Sequence, residues 1–385
     1  MGTTASHRPM KMIRPDFDSK LTDLIMELNF LRRKRLGGTT PPAIFFQLKG
    51  LFHAFESLGS AHIEGNNTTV SAYLEAKAKR SGRHDIKEIL NLEDALKFID
   101  DCVKNVPVNK MFIRELHKLA VRDLPPPSAG GEGSLTPGEF RRGNVRIASA
   151  EHMPPDAAQV ELYLDELIAF MDAPMSEKYD LLKIALAHHR FVWIHPFDNG
   201  NGRTVRLLTY AMLVKAGFNV EIGGRILNPT AIFCNDRNAY YRMLAAADTG
   251  TDEGLSAWCE YVLGGLRDEI EKIDRLCDYD FLKERILKPA LTKNVVADGL
   301  FPLADKMLAV AVEKGAFRAQ DFSKIFEGKH PSGVSRNIRR LLELKLIRRE
   351  RENSRSYTLC FENRILRSAV VNCLIDEGFL PEKLR

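Results

Sequence analysis

The sequence predicts a mainly α protein: a long helical body with one small β-hairpin, followed by a C-terminal winged helix-turn-helix domain. Three observations carry this. Apolar residues recur every three or four positions from residue 16 to 277, the pattern of amphipathic helices. Within that body the stretch Phe140 to Ile147 alternates apolar and polar residues as a strand does. After residue 303 the pattern changes to three short helical runs and two strands.

The elements follow in order. Residues 16–36 form a helix with Leu21, Leu24, Ile25, Leu28 and Leu31 on one stripe, and the Gly-Gly-Thr-Thr-Pro-Pro run 37–42 breaks it. A second helix covers 43–59 and ends near Gly59-Ser60; another covers 71–79. Ile86–Val103 and Asn109–Val121 are amphipathic helices, and Pro125–Gly138 is a turn-rich loop leading into the hairpin. Helices resume over 156–172, 179–193, 203–216, 236–247 and 254–277. Beyond a linker at 279–302, Ala304–Lys314, Ala319–Phe326 and Val334–Leu344 are helices, and Gly328–Gly333 is a turn. Ile347–Arg351 and Ser356–Leu359 are the strands of the wing, which closes a domain spanning 303–385.

Composition excludes several classes. A chain of 385 residues has room for two or three domains, and 44% hydrophobic with 28% charged residues fits a folded globular protein. Six cysteines (Cys102, Cys234, Cys259, Cys277, Cys360, Cys373) without Cys-x-x-Cys spacing argue against a zinc ribbon and fit a reducing cytoplasm. No apolar run suits a signal peptide or a membrane span, so no membrane partner is expected. Met1-Gly2 with Ser6 matches a short, common myristoylation pattern and is read as chance. The net charge is +5, yet residues 331–370 hold ten Lys/Arg against four Asp/Glu, so all the excess sits there. Arg336, Arg339 and Arg340 share one side of the third helix, and the hairpin adds Arg348, Arg349, Arg351 and Arg355. Residues 331–360 are therefore a candidate surface for double-stranded DNA, with protein docking or a homodimer as the alternative.

The sharpest feature is His195-Pro196-Phe197-Asp198-Asn199-Gly200-Asn201-Gly202-Arg203-Thr204-Val205-Arg206. It reads as a helix, a glycine-bearing loop and a second helix. Gly200 and Gly202 permit positive φ and close backbone approach, so consecutive amides can form an anion nest at a helix start. Arg203 and Arg206, three apart, are neighbours on the first turn. His195 enters from the other side of the loop, placed to take a proton from a hydroxyl.

This stretch resembles the signature of the Fic (Fic/Doc) family, His-x-Phe-x-(Asp/Glu)-Gly-Asn-Gly-Arg-x-x-Arg. The resemblance implies a Fic-type helical core with a β-hairpin flap, and transfer of AMP from ATP to a Ser, Thr or Tyr hydroxyl of a target protein. It makes His195 the general base, Phe197 a buried anchor, Gly200, Asn201 and Gly202 the phosphate nest, and Arg203 and Arg206 phosphate clamps. Where the family has an acidic Mg²⁺ ligand this chain has Asn199, a neutral donor. Ser60-Ala61-His62-Ile63-Glu64-Gly65 resembles the family's inhibitory motif, in which Glu64 pairs with Arg206; by itself it reads as a helix-terminal Glu before a glycine cap. Residues 138–147 resemble the flap, which aligns the target by strand addition. Tyr240-Tyr241 resembles a pair bordering the adenine, or else packs in the core, while His188 and His189 read as packing residues. The implied organisation is an N-terminal inhibitory region at 1–108 and a catalytic core at 109–278. A de-AMPylating enzyme, with Glu64 placing a water, and a DNA-binding regulator with a nucleotide-sensing core are the rival readings.

Overall fold

A computed structural model describes residues 7–33, 38–79, 83–147, 152–218, 229–292, 301, 303–327 and 332–380. The helices of the body are α1 (Lys20–Arg33), α2 (Pro42–Ile63), α3 (Val70–Ala78), α4 (His84–Cys102), α5 (Lys110–Val121), α6 (Val160–Asp172), α7 (Asp180–Ile194), α8 (Asn201–Lys215), α9 (Thr230–Asn235), α10 (Arg237–Asp248) and α11 (Asp252–Asp274). Polar residues outside the apolar stripes start several of them. Asn109 accepts from the Phe112 amide at the head of α5, Asp236 from Ala239 at α10 and Thr251 from Gly254 at α11, caps worth about 1 kcal/mol each.

The antiparallel pair α7 and α8 is the centre of the body. Helix α6 packs on α7, α5 and α4 pack on α8, and α11 closes the far side of α7. Leu182, Ile194, Phe197, Val205 and Leu208 are fully or almost fully buried between these layers, and the Trp258 indole of α11 donates to the Ala185 carbonyl at 2.7 Å. Helix α2 crosses α4, α8 and α9.

Four expectations change. Helix α2 does not end at Gly59-Ser60 but runs to Ile63. Gly59 lies where α9 crosses, and a Cβ there would make only ordinary van der Waals contact with Cys234 and Thr230; the helix runs through the glycine because α9 and the surrounding helices pack it in place. Helix α8 starts at Asn201, two residues early, because Gly200 at φ +75° turns the chain straight into it. No strand forms over 138–147. Arg141, counted as an outward residue of a hairpin arm, is buried and hydrogen-bonds carbonyls on both sides of the loop, which pulls the segment out of strand geometry. Residues 148–151, where a second arm would run, lie outside the described residues, as do 1–6 with the myristoylation pattern and 328–331 of the expected turn.

The fourth change concerns the expected linker. Residues 279–290 form α12 (Tyr279–Leu282), a π turn and α13 (Lys288–Ala290), with Leu282, Ile286, Leu287 and Ala290 buried. The C-terminal segment then holds α14 (Ala304–Lys314), β1 (Ala316–Arg318), a 3₁₀ run at Ala319–Phe326, α15 (Ser332–Glu343), β2 (Ile347–Arg349), β3 (Ser356–Leu359) and α16 (Arg364–Asp376). Its antiparallel sheet has the order β1-β3-β2, with Phe317 opposite Tyr357 and Ile347 opposite Leu359. Strand β1 is too short for its alternation to show in sequence. Gln47 of α2 bridges this segment to the body, donating to the Leu359 carbonyl at 3.0 Å and accepting from the Phe361 amide at 2.8 Å. Among the described residues no helix is long and apolar enough to cross a membrane.

Candidate active site

The loop between α7 and α8 gathers the predicted residues. His195 ends α7 at φ 50°, a left-handed conformation uncommon outside glycine, held by its amide, which donates to the Phe191 carbonyl at 3.0 Å. Arg141 secures the far side, donating from Nε to the His195 carbonyl at 2.8 Å and from Nη2 to Pro155 at 2.6 Å. Burial, with Arg141 adding to it, lowers the His195 pKa to about 4, so the ring is neutral at physiological pH. The Val192 carbonyl lies near enough to favour a proton on the ring, although buried Nδ1 makes no well-formed hydrogen bond. Nε2 is then the nitrogen left to accept a proton.

Asn201 closes the loop on itself: its Oδ1 accepts from the Phe197 amide and its Nδ2 donates to the Phe197 carbonyl, both at 2.9 Å. The Asn201 side chain is thus a structural clasp, and only its backbone belongs to the nest. No side chain caps α8, so the amides of Asn201, Gly202 and Arg203 are the free donors of a helix N-terminus.

A carboxylate already sits there. Glu64, at the C-terminal cap of α2, accepts from Arg206 Nη2 at 2.6 Å, and a Cβ on Gly202 would run into its Oε1. Arg206 also donates to Ser60, from Nε to Oγ at 2.8 Å and from Nη2 to the carbonyl at 3.0 Å. Burial works to raise the Glu64 pKa, but Arg206 and then Arg203 hold it below its ordinary value. Glu64 therefore combines both readings of its motif, a helix cap before Gly65 at φ +107° and an ion-pair partner of Arg206.

Arg203 is held differently. It is buried, with Nη1 on Glu88 Oε1 at 2.9 Å and Nη2 on the Glu132 carbonyl at 2.6 Å. Its guanidinium is fixed by α4 and the Pro125–Gly138 loop. That loop is stitched along the whole motif. Asp198 accepts from Ser134 Oγ at 2.5 Å and from the Leu135 amide at 2.9 Å, and Asn199 Nδ2 donates to the Gly133 carbonyl at 2.9 Å.

The residues present do not build an acidic Mg²⁺ ligand. Asn199 faces a carbonyl through its amide nitrogen, both Asp198 oxygens are taken, and the described residues contain no cluster of three His, Cys, Asp or Glu side chains suited to a metal. Asn199 Oδ1 is a neutral oxygen the loop can offer.

Tyr240 and Tyr241 separate. Tyr240 is buried, and its hydroxyl donates to His188 Nε2 at 2.9 Å. His188 Nδ1 donates in turn to Thr209 Oγ1 at 2.7 Å, whose hydroxyl serves the Val205 carbonyl, which fixes the tautomer. Tyr240 is thus a core tie between α7, α8 and α10; Tyr241 beside it, partly exposed, can border a ligand. His189 pairs with Asp248 at 2.9 Å. The aromatic spacing alone could not distinguish these two tyrosines.

Sequence reasoning missed His117 of α5. Its ring stacks on Phe197 with centroids 3.7 Å apart and planes within 5°, accepts from the Gly138 amide through Nδ1 at 2.9 Å, and donates from Nε2 to the Asn199 carbonyl at 3.0 Å. Glu88 was missed too. Both lie on ordinary amphipathic stripes with nothing local to mark them.

This defines a helical protein with an anion cradle at a helix start, a neutral histidine across the loop and two arginines over the cradle. Residues 107–213 match the model of the Fic/DOC family. Protein adenylyltransferase Fic of Drosophila yakuba is 31% identical over 205 residues, 51% of this chain and 37% of that protein. The protein of the same name from Nematostella vectensis is 32% identical over 199 residues, 49% of this chain and 42% of that one. The matches therefore span less than half the length of these relatives. In fold, the chain resembles a crystal structure of a Fic family protein from Desulfovibrio desulfuricans G20, with a TM-score of 0.55 and 19% identity over 92% of this chain and 98% of that one. A Fic domain containing signaling protein from Bacteroides thetaiotaomicron gives a TM-score of 0.51 and 18% identity over 67% of this chain and 97% of that one.

Proposed function

We propose that this protein is a protein adenylyltransferase, moving AMP from ATP to a Ser, Thr or Tyr hydroxyl of a target protein, and that Glu64 keeps it inhibited. The observation that carries the reading is the Glu64 carboxylate on Arg206 and against Gly202, the position an anion takes at the start of α8. A nucleotide phosphate placed there must displace it. In the open state the target oxygen attacks the α-phosphorus, the bond to the β-phosphate breaks, pyrophosphate leaves and His195 Nε2 takes the hydroxyl proton. The α8 amides and Arg206 hold the phosphates while Glu88 keeps Arg203 aimed, so catalysis comes from positioning and charge neutralisation. Mg²⁺ belongs to this reading as the counter-ion of the triphosphate.

ATP labelled at the α-phosphate tests it: label on protein should be faint with wild type, strong with Glu64→Gly and absent with Glu64→Gly/His195→Ala. A dark Glu64→Gly across every lysate offered would sink the reading. Removal of AMP is the second reading. Among the described residues Glu64 Oε2 accepts no hydrogen bond, which leaves it able to orient a water; Glu64-dependent loss of AMP from a labelled target would favour it.

We read the chain as cytoplasmic, a reading that fits six cysteines with no disulfide among the described residues. Residues 332–360 read as a winged-helix face for duplex DNA. Arg336, Arg339, Arg348, Arg351 and Arg355 are exposed on α15 and around the β2–β3 turn, and none forms an ion pair among the described residues. Residue 331 of the expected surface lies outside the described residues. A salt-dependent gel shift on random duplex supports DNA; no shift at low salt leaves dimerisation or protein docking.

A further inference from the structure

The turn that carries Glu64 is tied down by a residue beyond its motif. After Ile63 the chain makes a tight turn in which the Glu64 and Asn66 amides both donate to the Ala61 carbonyl and the Gly65 amide to His62, all at 3.1 Å. Asn66 then reaches across to α4. Its Nδ2 donates to Glu88 Oε2 at 2.8 Å and to the Asp85 carbonyl at 3.0 Å, while its Oδ1 accepts from the Thr68 amide at 2.9 Å. The other oxygen of Glu88 holds Arg203 at 2.9 Å. One buried carboxylate therefore joins the arginine of α8 to the turn that presents Glu64 to Arg206. A cavity of about 540 Å³, bordered by Glu64, Gly65, Asn66, Glu88 and Glu132, lies beside the turn and gives it room to move.

We propose that Asn66 and Glu88 form a latch that sets the strength of self-inhibition, Glu88 positioning Arg203 with one oxygen and holding the Glu64 turn through Asn66 with the other. The regulatory part rests on the reading of Glu64 as inhibitory. The mechanical part does not: with the hydrogen bond to Glu88 broken, the turn opens more often whatever reaction the site performs. A bond to a buried carboxylate is among the stronger hydrogen bonds, and its loss should shift the opening equilibrium about tenfold.

The test uses the full chain and two variants. Asn66→Ala removes the latch and the turn's own bond to Thr68. Asn66→Asp keeps the acceptor for the Thr68 amide but sets a carboxylate against Glu88. Amide hydrogen exchange at residues 64–66 should speed about tenfold in both, and AMP labelling should rise about tenfold over wild type in both. In the Glu64→Gly background neither substitution should change labelling further. Unchanged exchange in Asn66→Asp would overturn the latch, and so would an equal rise in labelling with Glu64 already gone. If Glu64→Gly itself stays dark, the transferase reading fails while the exchange measurement still decides the latch.

Discussion

Arg206 donates to Glu64 at 2.6 Å across 142 positions of sequence, and that pair lies over the free amides of α8. Arg206 is 2% exposed and Glu64 28%, so the carboxylate can leave toward solvent while the guanidinium stays in place. The asymmetry makes the arginine the fixed part of the site and the glutamate the removable one.

Graded removal should therefore give graded release. Glu64→Gln keeps the shape and one acceptor oxygen but loses the charge that Arg206 and Arg203 stabilise. Labelling should rank wild type below Glu64→Gln and Glu64→Gln below Glu64→Gly. A Glu64→Gln that labels no more than wild type would mean that shape, and not charge, blocks the site.

The pH dependence follows from His195. With its pKa lowered to about 4 by burial, the ring stays neutral well below the 6.5 of an ordinary histidine, and Glu64, whose charge works to raise that pKa, is absent from the active variant. Glu64→Gly should keep its labelling rate from pH 7.5 to about 5.5, where an ordinary histidine would already have lost about tenfold. A limb centred near 6.5 would contradict the buried setting of His195.

What the sequence disclosed and what it hid divide along one line. The helical stripes, the loop from His195 to Arg206 and the Glu64 motif are written in consecutive residues, and periodicity or spacing reads them. Arg141, Glu88, His117 and the burial of Tyr240 depend on partners 52 to 115 positions away: His195 for Arg141, Arg203 for Glu88, Asn199 for His117 and His188 for Tyr240, with intervals of 54, 115, 82 and 52. Gly59-Ser60 misled for the same reason. A glycine inside a helix looks like a break until the packing that carries the helix through it, here against α9, is known.

His117 is the test of how much the missed residues matter. Its stack on Phe197 and its bonds to Asn199 and Gly138 join α5, the catalytic loop and the start of the flap segment. His117→Ala should cost about 3 kcal/mol in urea unfolding and lower kcat more than it raises the KM for ATP. Burial lowers the His117 pKa to about 4 from 6.5, so its contribution is complete above pH 6.5 and is lost as pH falls from 6.5 toward 4. Wild type should therefore lose more stability between pH 7.5 and 5 than His117→Gln does. The other buried histidines shift in both proteins alike, so the difference isolates His117.

Asn199→Asp tests the metal position. The asparagine donates to the Gly133 carbonyl at 2.9 Å, and an aspartate would set a carboxylate against that carbonyl, breaking one stitch between the motif and the Pro125–Gly138 loop. Without metal the variant should be about 1–3 kcal/mol less stable than wild type, the cost of an unsatisfied polar contact in a partly buried loop. The same carboxylate supplies the anionic ligand that Asn199 lacks, so Mg²⁺ should raise the melting temperature of Asn199→Asp and leave that of wild type nearly unchanged. Equal Mg²⁺ responses would show that the cation does not contact position 199. An Asn199→Asp as stable as wild type without metal would show that the Gly133 bond contributes little to holding the loop.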